Sequence, residues 1–318
     1  MVRIDLITGF LGAGKTTFLL RYARFLLARG LKIGILAYDH GAMNVDMPLL
    51  RELRGEHCEI EMLAGACDAD CHRRRFRTRL ISMCLCGYDR ILVEPSGVFD
   101  MDEYFDCLSE APLDRLAEAG NVIAVVDARL EEKLSPEEDF FLASQAACAG
   151  KIVLSRVQLA DEGEIRKTIR HLRQAQAEIR CESAPVERFL IRDWRELGPE
   201  DFEELMNCGC RAADYVKAIA GSPNSFQSLS FLDLPLNGAG ITERTRMLFH
   251  EPRFGRIIRV KGFFRDQERW FQINATGRDL EIEESRENRA AVIIIGQGLD
   301  EAEISLLMTG RLPEHRIL

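Results

Sequence analysis

At 318 residues the chain is long enough for one large core and a smaller second one, and its 47% hydrophobic, 29% charged composition excludes a disordered or fibrous chain. A net charge of −9 argues against a nucleic acid as partner, since phosphate recognition needs a concentrated basic surface, and no apolar run approaches the ~18 residues of a membrane-spanning helix. The first stretch carries Arg3 and Asp5 and lacks a small-residue cleavage site, so no secretory signal is expected, and the ten cysteines are expected as free thiols in a reducing cytoplasm.

Val2–Thr8 reads as an apolar strand. Lys15–Arg29 places Phe18, Leu19, Tyr22 and Leu26 at helical spacing with Gly30 as the residue after the cap, and Lys32–Tyr38 reads as a second strand, completing a βαβ unit. Strands follow at Glu59–Leu63, Arg90–Glu94, Asn121–Val126, Lys151–Ser155 and Arg188–Ile191, with a helix at Cys71–Cys86 and others between them. Near-continuous apolar strands alternating with helices predict an α/β domain over residues 1–220, built on a mostly parallel sheet covered by helices. Gly221–Ser225 reads as the linker. Beyond it, strands at Gln227–Leu232, Ile257–Phe263, Trp270–Ala275, Asp279–Ile282 and Ala291–Ile295, with helices near Thr242–His250 and Asp300–Met308, predict a small α+β domain over residues 226–318 on a largely antiparallel sheet.

Gly9-Phe10-Leu11-Gly12-Ala13-Gly14-Lys15-Thr16 matches G-x-x-x-x-G-K-[ST] between a predicted strand and a predicted helix, the context that gives such a match meaning. Gly9, Gly12, Ala13, Gly14 and Thr17 belong to a loop whose N–H groups converge on phosphate oxygens, and the helix adds its positive end. Lys15 supplies a point charge to the β- and γ-phosphates, and the Thr16 hydroxyl suits Mg²⁺, which prefers oxygen ligands. Glu94 ends an apolar strand where such a site needs a carboxylate facing the metal and the attacking water, with Gly97 placed to bring its N–H to the γ-phosphate. The bland alternatives are a glycine-rich turn with an incidental lysine and a solvated strand-end glutamate.

With G-F-L-G-A-G-K-T-T at Gly9–Thr17 and E-P-S-G at Glu94–Gly97, the chain resembles the CobW family of P-loop GTPases, relatives of the nickel-inserting chaperones for hydrogenase and urease. In the second half, Gly255–Phe263 and Val292–Asp300 resemble the R-x-K-G-F and I-G-x-x-L-D segments of the family's C-terminal domain. The resemblance implies GTP hydrolysis coupled to delivery of a metal or metallocofactor to a client enzyme. It also implies that Asp39, in the switch-like run from Tyr38 to Asp46, approaches the Mg²⁺ shell. Where the family writes N-K-x-D for guanine, this chain reads Ser155-Arg156-Val157-Gln158, an amide in place of the carboxylate. GTP and ATP therefore both remain candidates. Arg156 lays its guanidinium or stem over the purine, or these residues merely end a strand.

Where the family has G-C-x-C-C, this chain keeps Cys67 and Cys71, which lie one turn apart if a helix starts around Asp68, with His72 or a nearby Asp to complete a site for Zn²⁺ or another transition metal. The alternative is that Asp70 caps a helix and the thiols pack as small apolar groups. Cys84 with Cys86 and Cys208 with Cys210 are further thiol pairs. The basic run Arg73–Arg79 suits an acidic partner or is a solvated face. The leading expectation is a Mg²⁺-dependent nucleoside triphosphatase with Lys15, Glu94 and Asp39 in catalytic roles. A nucleotide-responsive metal carrier or adaptor with negligible turnover is the alternative.

Overall fold

The computed structural model describes residues 1–39, 50–64, 69–131, 133–216, 226–285 and 290–311. The expected linker, the switch run after Asp39 and Cys67 lie outside these residues. The described residues fall into two compact units, one drawn from residues up to 216 and one from residue 226 onward.

The first unit is built on seven strands: β1 (Val2–Thr8), β2 (Ile33–Asp39), β3 (Cys58–Ala64), β4 (Arg90–Glu94), β5 (Ala117–Asp127), β6 (Lys151–Ser155) and β7 (Phe189–Leu190). All pair in parallel, in the order β3-β2-β4-β1-β5-β6-β7. Every residue of β4 and β6 is buried, as strands covered on both faces require. Helix α1 (Lys15–Ala28) buries Phe18, Leu19, Tyr22 and Leu26, the stripe read from the sequence. Its end is closed by Gly30 N–H to Leu27 O and Leu31 N–H to Leu26 O, the paired bonds that satisfy orphan carbonyls after a last turn. Helix α2 (Ala69–Cys84) covers the β2–β3 side of the sheet, with Phe76 and Leu80 fully buried.

Several strand ends differ from their sequence reading, two of them in this unit in a way that bears on its packing. β7 is only two residues long instead of Arg188–Ile191, because the backbone of Val186–Arg188 forms a 3-10 turn; the Arg188 guanidinium caps the end of helix Pro136–Cys148, donating to the carbonyls of Ala146 (2.7 Å) and Ala149. β5 starts at Ala117, four residues before the expected Asn121. Its first residues pair with Val2–Ile4, and the register then slips so that Leu6 faces Val122.

That irregularity surrounds a buried charge. The Asp5 carboxylate, fully buried in β1, accepts from Arg90 Nη1 (2.7 Å), Tyr22 Oη (2.8 Å), the Asn121 backbone N–H (2.8 Å) and Asn121 Nδ2 (3.1 Å). Asn121 also donates to Met206 O and accepts from Gly209 N–H, so a single anion ties together β1, β4, β5, α1 and the segment after residue 205. A buried charge is tolerable only when paired and hydrogen-bonded on all sides.

The second unit is a five-stranded antiparallel sheet in the order β11-β10-β9-β12-β8: β8 (Phe226–Leu232), β9 (Arg256–Asp266), β10 (Arg269–Ala275), β11 (Leu280–Ser285) and β12 (Ala291–Gln297). Helices Gly238–His250 and Glu301–Thr309 supply Ile241, Leu248, Ile304 and Met308 to a core shared with Val260, Phe264, Ile273, Val292 and Ile294. Edge strand β11 alternates Leu280 and Ile282 with the outward Glu281 and Glu283, charges that discourage pairing with a foreign strand.

Asp5→Ala leaves Arg90 buried without its anion and is expected to cost about 3–5 kcal/mol of unfolding free energy, read from urea denaturation. A loss below about 1 kcal/mol, the scale of an ordinary surface change, would contradict the role given to this carboxylate.

Candidate functional site

Because β1 lies between β4 and β5, the loops leaving β1 and β4 emerge side by side. They touch backbone to backbone: a Cβ added to Gly97 would lie 2.4 Å from Leu11 N, and one added to Gly9 would lie 2.2 Å from Val125 O. The 97–99 turn is held from behind by Gln145 Nε2, which donates to Gly97 O at 3.0 Å. Gly14, at φ 98°, opens α1 and offers its first turn no side-chain acceptor; that turn also has no acidic residue. An uncapped helix start behind a glycine loop is an anion site in waiting.

Lys15 is buried, and its Nζ donates to Gly9 O (3.0 Å) and Phe10 O (3.4 Å). The ammonium is thus curled back over the loop that a phosphate would enter. Thr16 Oγ1 donates to Glu94 Oε1 at 2.6 Å, joining the first turn of α1 to the end of β4. Both residues are buried. Two hard oxygen donors in contact beside a lysine fit Mg²⁺ bridging protein and phosphate. Thr17 is exposed at the loop mouth.

On the other flank the structure adds detail to the expected base segment. Arg156 adopts a left-handed backbone (φ 54°), and its Nη1 donates to Gly12 O (3.0 Å) and to the Asp127 carboxylate. The guanidinium braces the phosphate loop through Nη1. Ser155 is buried against Val126 O, and Gln158 is exposed in the single turn Val157–Leu159.

Asp39 closes β2, its backbone paired with Ala64 of β3; its side chain lies outside the described residues, as does Cys67. Cys71 is half-buried. His72 turns inward: its ring is buried, Nδ1 lies 2.9 Å from Tyr38 Oη, and the two rings meet edge to face at 5.1 Å. Among the described residues no group of three or more His, Cys, Asp or Glu is placed to hold a metal. In the other pairs burial pushes the Cys84 thiol up to about 11 and the Cys208 thiol up to about 12, Asp5 adding to the latter, which disfavours these two as thiolates. The basic run has partners within the chain: Arg73 and Arg77 pair with Glu110 at 2.7 and 3.4 Å, and Arg79 with Glu61 at 3.3 Å.

Three residues of the site carry no motif. Gln145 follows Ser144 in the mostly apolar, buried run from Phe140 to Cys148, and a lone amide in a buried helix is a signal, because it must be hydrogen-bonded there. Asp127 ends β5 and accepts from Arg129 N–H (2.9 Å) as well as from Arg156. Trp194 follows β7 and reaches back to α1, where its ring meets Phe18 edge-on. A tryptophan amid Arg192, Asp193, Arg195 and Glu196 was the available cue.

Known proteins resemble this chain along its length. The profile of the CobW/HypB/UreG nucleotide-binding domain matches residues 3–182, and that of the cobalamin synthesis protein CobW C-terminal domain matches residues 232–310. The zinc chaperone YeiR of Escherichia coli (strain K12) is 25% identical over 311 residues, 89% of each chain. The zinc chaperone YjiA of the same strain is 28% identical over 174 residues, 51% of this chain and 52% of its own. The crystal structure of the Zn(II)-bound YjiA GTPase from E. coli aligns over 98% of this chain and 99% of that one, at 20% identity and a TM-score of 0.36.

Gly97→Ala is expected to push the 97–99 turn off Leu11 and deform the phosphate loop, lowering triphosphate affinity by about tenfold or more in calorimetry while the protein stays folded by circular dichroism. Unchanged affinity would show that the loop tolerates the displacement.

Proposed function

The chain belongs to the CobW/HypB/UreG family, and from that membership we propose that it binds a nucleoside triphosphate with Mg²⁺, hydrolyses it, and couples the cycle to handing a transition metal or metallocofactor to a client enzyme. The observation that carries this reading is the buried contact of Thr16 with Glu94, which brings a loop hydroxyl and a strand-end carboxylate together beside the Lys15 ammonium.

In the proposed cycle the triphosphate displaces the Gly9 and Phe10 carbonyls from Lys15, and the ammonium moves onto the β- and γ-phosphate oxygens. Backbone N–H groups of Gly12–Thr17 complete the cradle. Thr16 and Glu94 are the residues that would hold Mg²⁺, which would supply positive charge to offset that of the phosphates. Glu94 also orients the attacking water, and the Gly97 N–H, pressed against the loop, faces the γ-phosphate. Asp39, whose backbone ends the strand beside β4, would help hold the metal, and loss of the γ-phosphate would then be felt in the residues that follow it. The cargo in this scheme is Zn²⁺ or a similar ion carried by Cys67 and Cys71, a choice supported by the zinc-chaperone names of YeiR and YjiA.

Lys15→Ala is expected to abolish triphosphate binding without unfolding the protein. Glu94→Gln is expected to keep binding and slow phosphate release by about a hundredfold, because the amide preserves shape but loses the charge that positions metal and water. Calorimetry and a phosphate-release assay read the two effects. Tight binding with no turnover in the unaltered protein would favour a nucleotide-gated carrier over a hydrolase.

A further inference from the structure

The phosphate loop dictates where the remainder of a nucleotide runs. Glu94 meets Thr16 on the β4 side of β1, so the metal-bearing end of the triphosphate lies there. Ligands of open parallel sheets sit outside the carboxyl ends of the strands. The nucleoside must therefore extend the other way, over the ends of β5, β6 and β7.

Two segments meet at that place. The turn after β6 has an exposed amide at Gln158 where a base-reading carboxylate is missing, and its guanidinium is engaged with Gly12 and Asp127. The turn after β7 brings an indole. Trp194 Nε1 donates to Leu154 O at 2.9 Å, anchoring the ring to the end of β6, and the ring packs edge-on to Phe18 at a centroid distance of 5.5 Å. Arg21 Nη1 holds the Trp194 carbonyl at 2.8 Å. The benzo edge borders the start of α1 so closely that a Cβ on Gly14 would fall 3.3 Å from it and 3.7 Å from Ser155 Cβ. A half-buried aromatic ring is thus fixed where the phosphate loop, the first turn of α1 and the end of β6 converge.

We propose that Trp194 is the base-contacting residue of this site: its indole presents an apolar π surface to the nucleobase, which is retained by stacking rather than read by hydrogen bonds. This rests on the nucleotide-site reading above. Stacking on an aromatic side chain tolerates every base, because each has a π face. The one polar atom of the indole is committed to Leu154, so nothing on it distinguishes the edge of guanine from that of adenine. The consequence is a site that gains affinity from a base without selecting which, with GTP and ATP affinities within about tenfold of each other.

The chain has two tryptophans, and the other, Trp270, lies in β10 of the second unit, so Trp270→Phe leaves an emission signal that reports Trp194 alone. With Mg²⁺ present, GTP and ATP should both quench that emission, whereas inorganic tripolyphosphate should bind by calorimetry with little quenching. In the same background Trp194→Ala should weaken both nucleotides by about tenfold or more while changing tripolyphosphate affinity less than about twofold, and Trp194→Phe should restore most of the loss. Equal losses for nucleotide and tripolyphosphate would make the indole a mere buttress of the loop and overturn the assignment, as would an unchanged affinity. If the Trp270→Phe protein bound neither tripolyphosphate nor nucleotide, the phosphate site itself would fall and this inference with it.

Discussion

Stretches of backbone meet at the phosphate loop more closely than any side chain permits, and the geometry of the site depends on that approach. Gly9 lies against the Val125 carbonyl, and Gly97 lies against Phe10 and Leu11. Neither contact is possible unless β1 is flanked by β5 on one side and β4 on the other, so the strand order and the two glycines are a single constraint seen at two scales. Gln145 fastens the arrangement from the helix behind it. The loop is therefore shaped by the fold before any ligand arrives, which lowers the ordering cost that binding would otherwise carry.

Charge is distributed around the loop with similar economy. The Lys15 ammonium donates to the Gly9 and Phe10 carbonyls, dipoles that a phosphate would replace with full charges. At the opposite shoulder Arg156 and Asp127 balance each other, so the guanidinium contributes stiffness to Gly12 without adding net positive potential. In the proposed reading, the carboxylate of Glu94 and the ammonium of Lys15 are the charges that a magnesium triphosphate would meet first.

Much of this was legible in the sequence because parallel strands buried on both faces write themselves as apolar runs, and because the phosphate motif carries its own geometry. Val2–Thr8 was read to the residue, and Phe18, Leu19, Tyr22 and Leu26 showed the buried face of α1. Short-range pattern has no means of showing that Arg188 caps a helix 40 residues earlier in the chain, or that β5 begins at Ala117 and bulges around Asp5. Those outcomes are decided by partners distant in sequence. The same holds for Arg156, whose motif position pointed to a base while its guanidinium found Gly12 and Asp127, and for Trp194, whose meaning depends on lying over Gly14.

The charge cluster at Asp5 also bears on how the chain emerges from a ribosome. The first strand is complete by Thr8, yet the groups that make its carboxylate tolerable arrive only with Tyr22, Arg90 and Asn121. Until then, burying β1 would strand an anion among Ile4, Leu6 and Ile7. The central strand of the sheet is thus made before the strands that carry its partners, and burying it is costly until β4 and β5 are present. Long sequence separation between partners makes such docking slow, and an apolar strand kept waiting is a natural substrate for holding chaperones. One aspartate thereby couples the burial of β1 to the presence of β4 and β5.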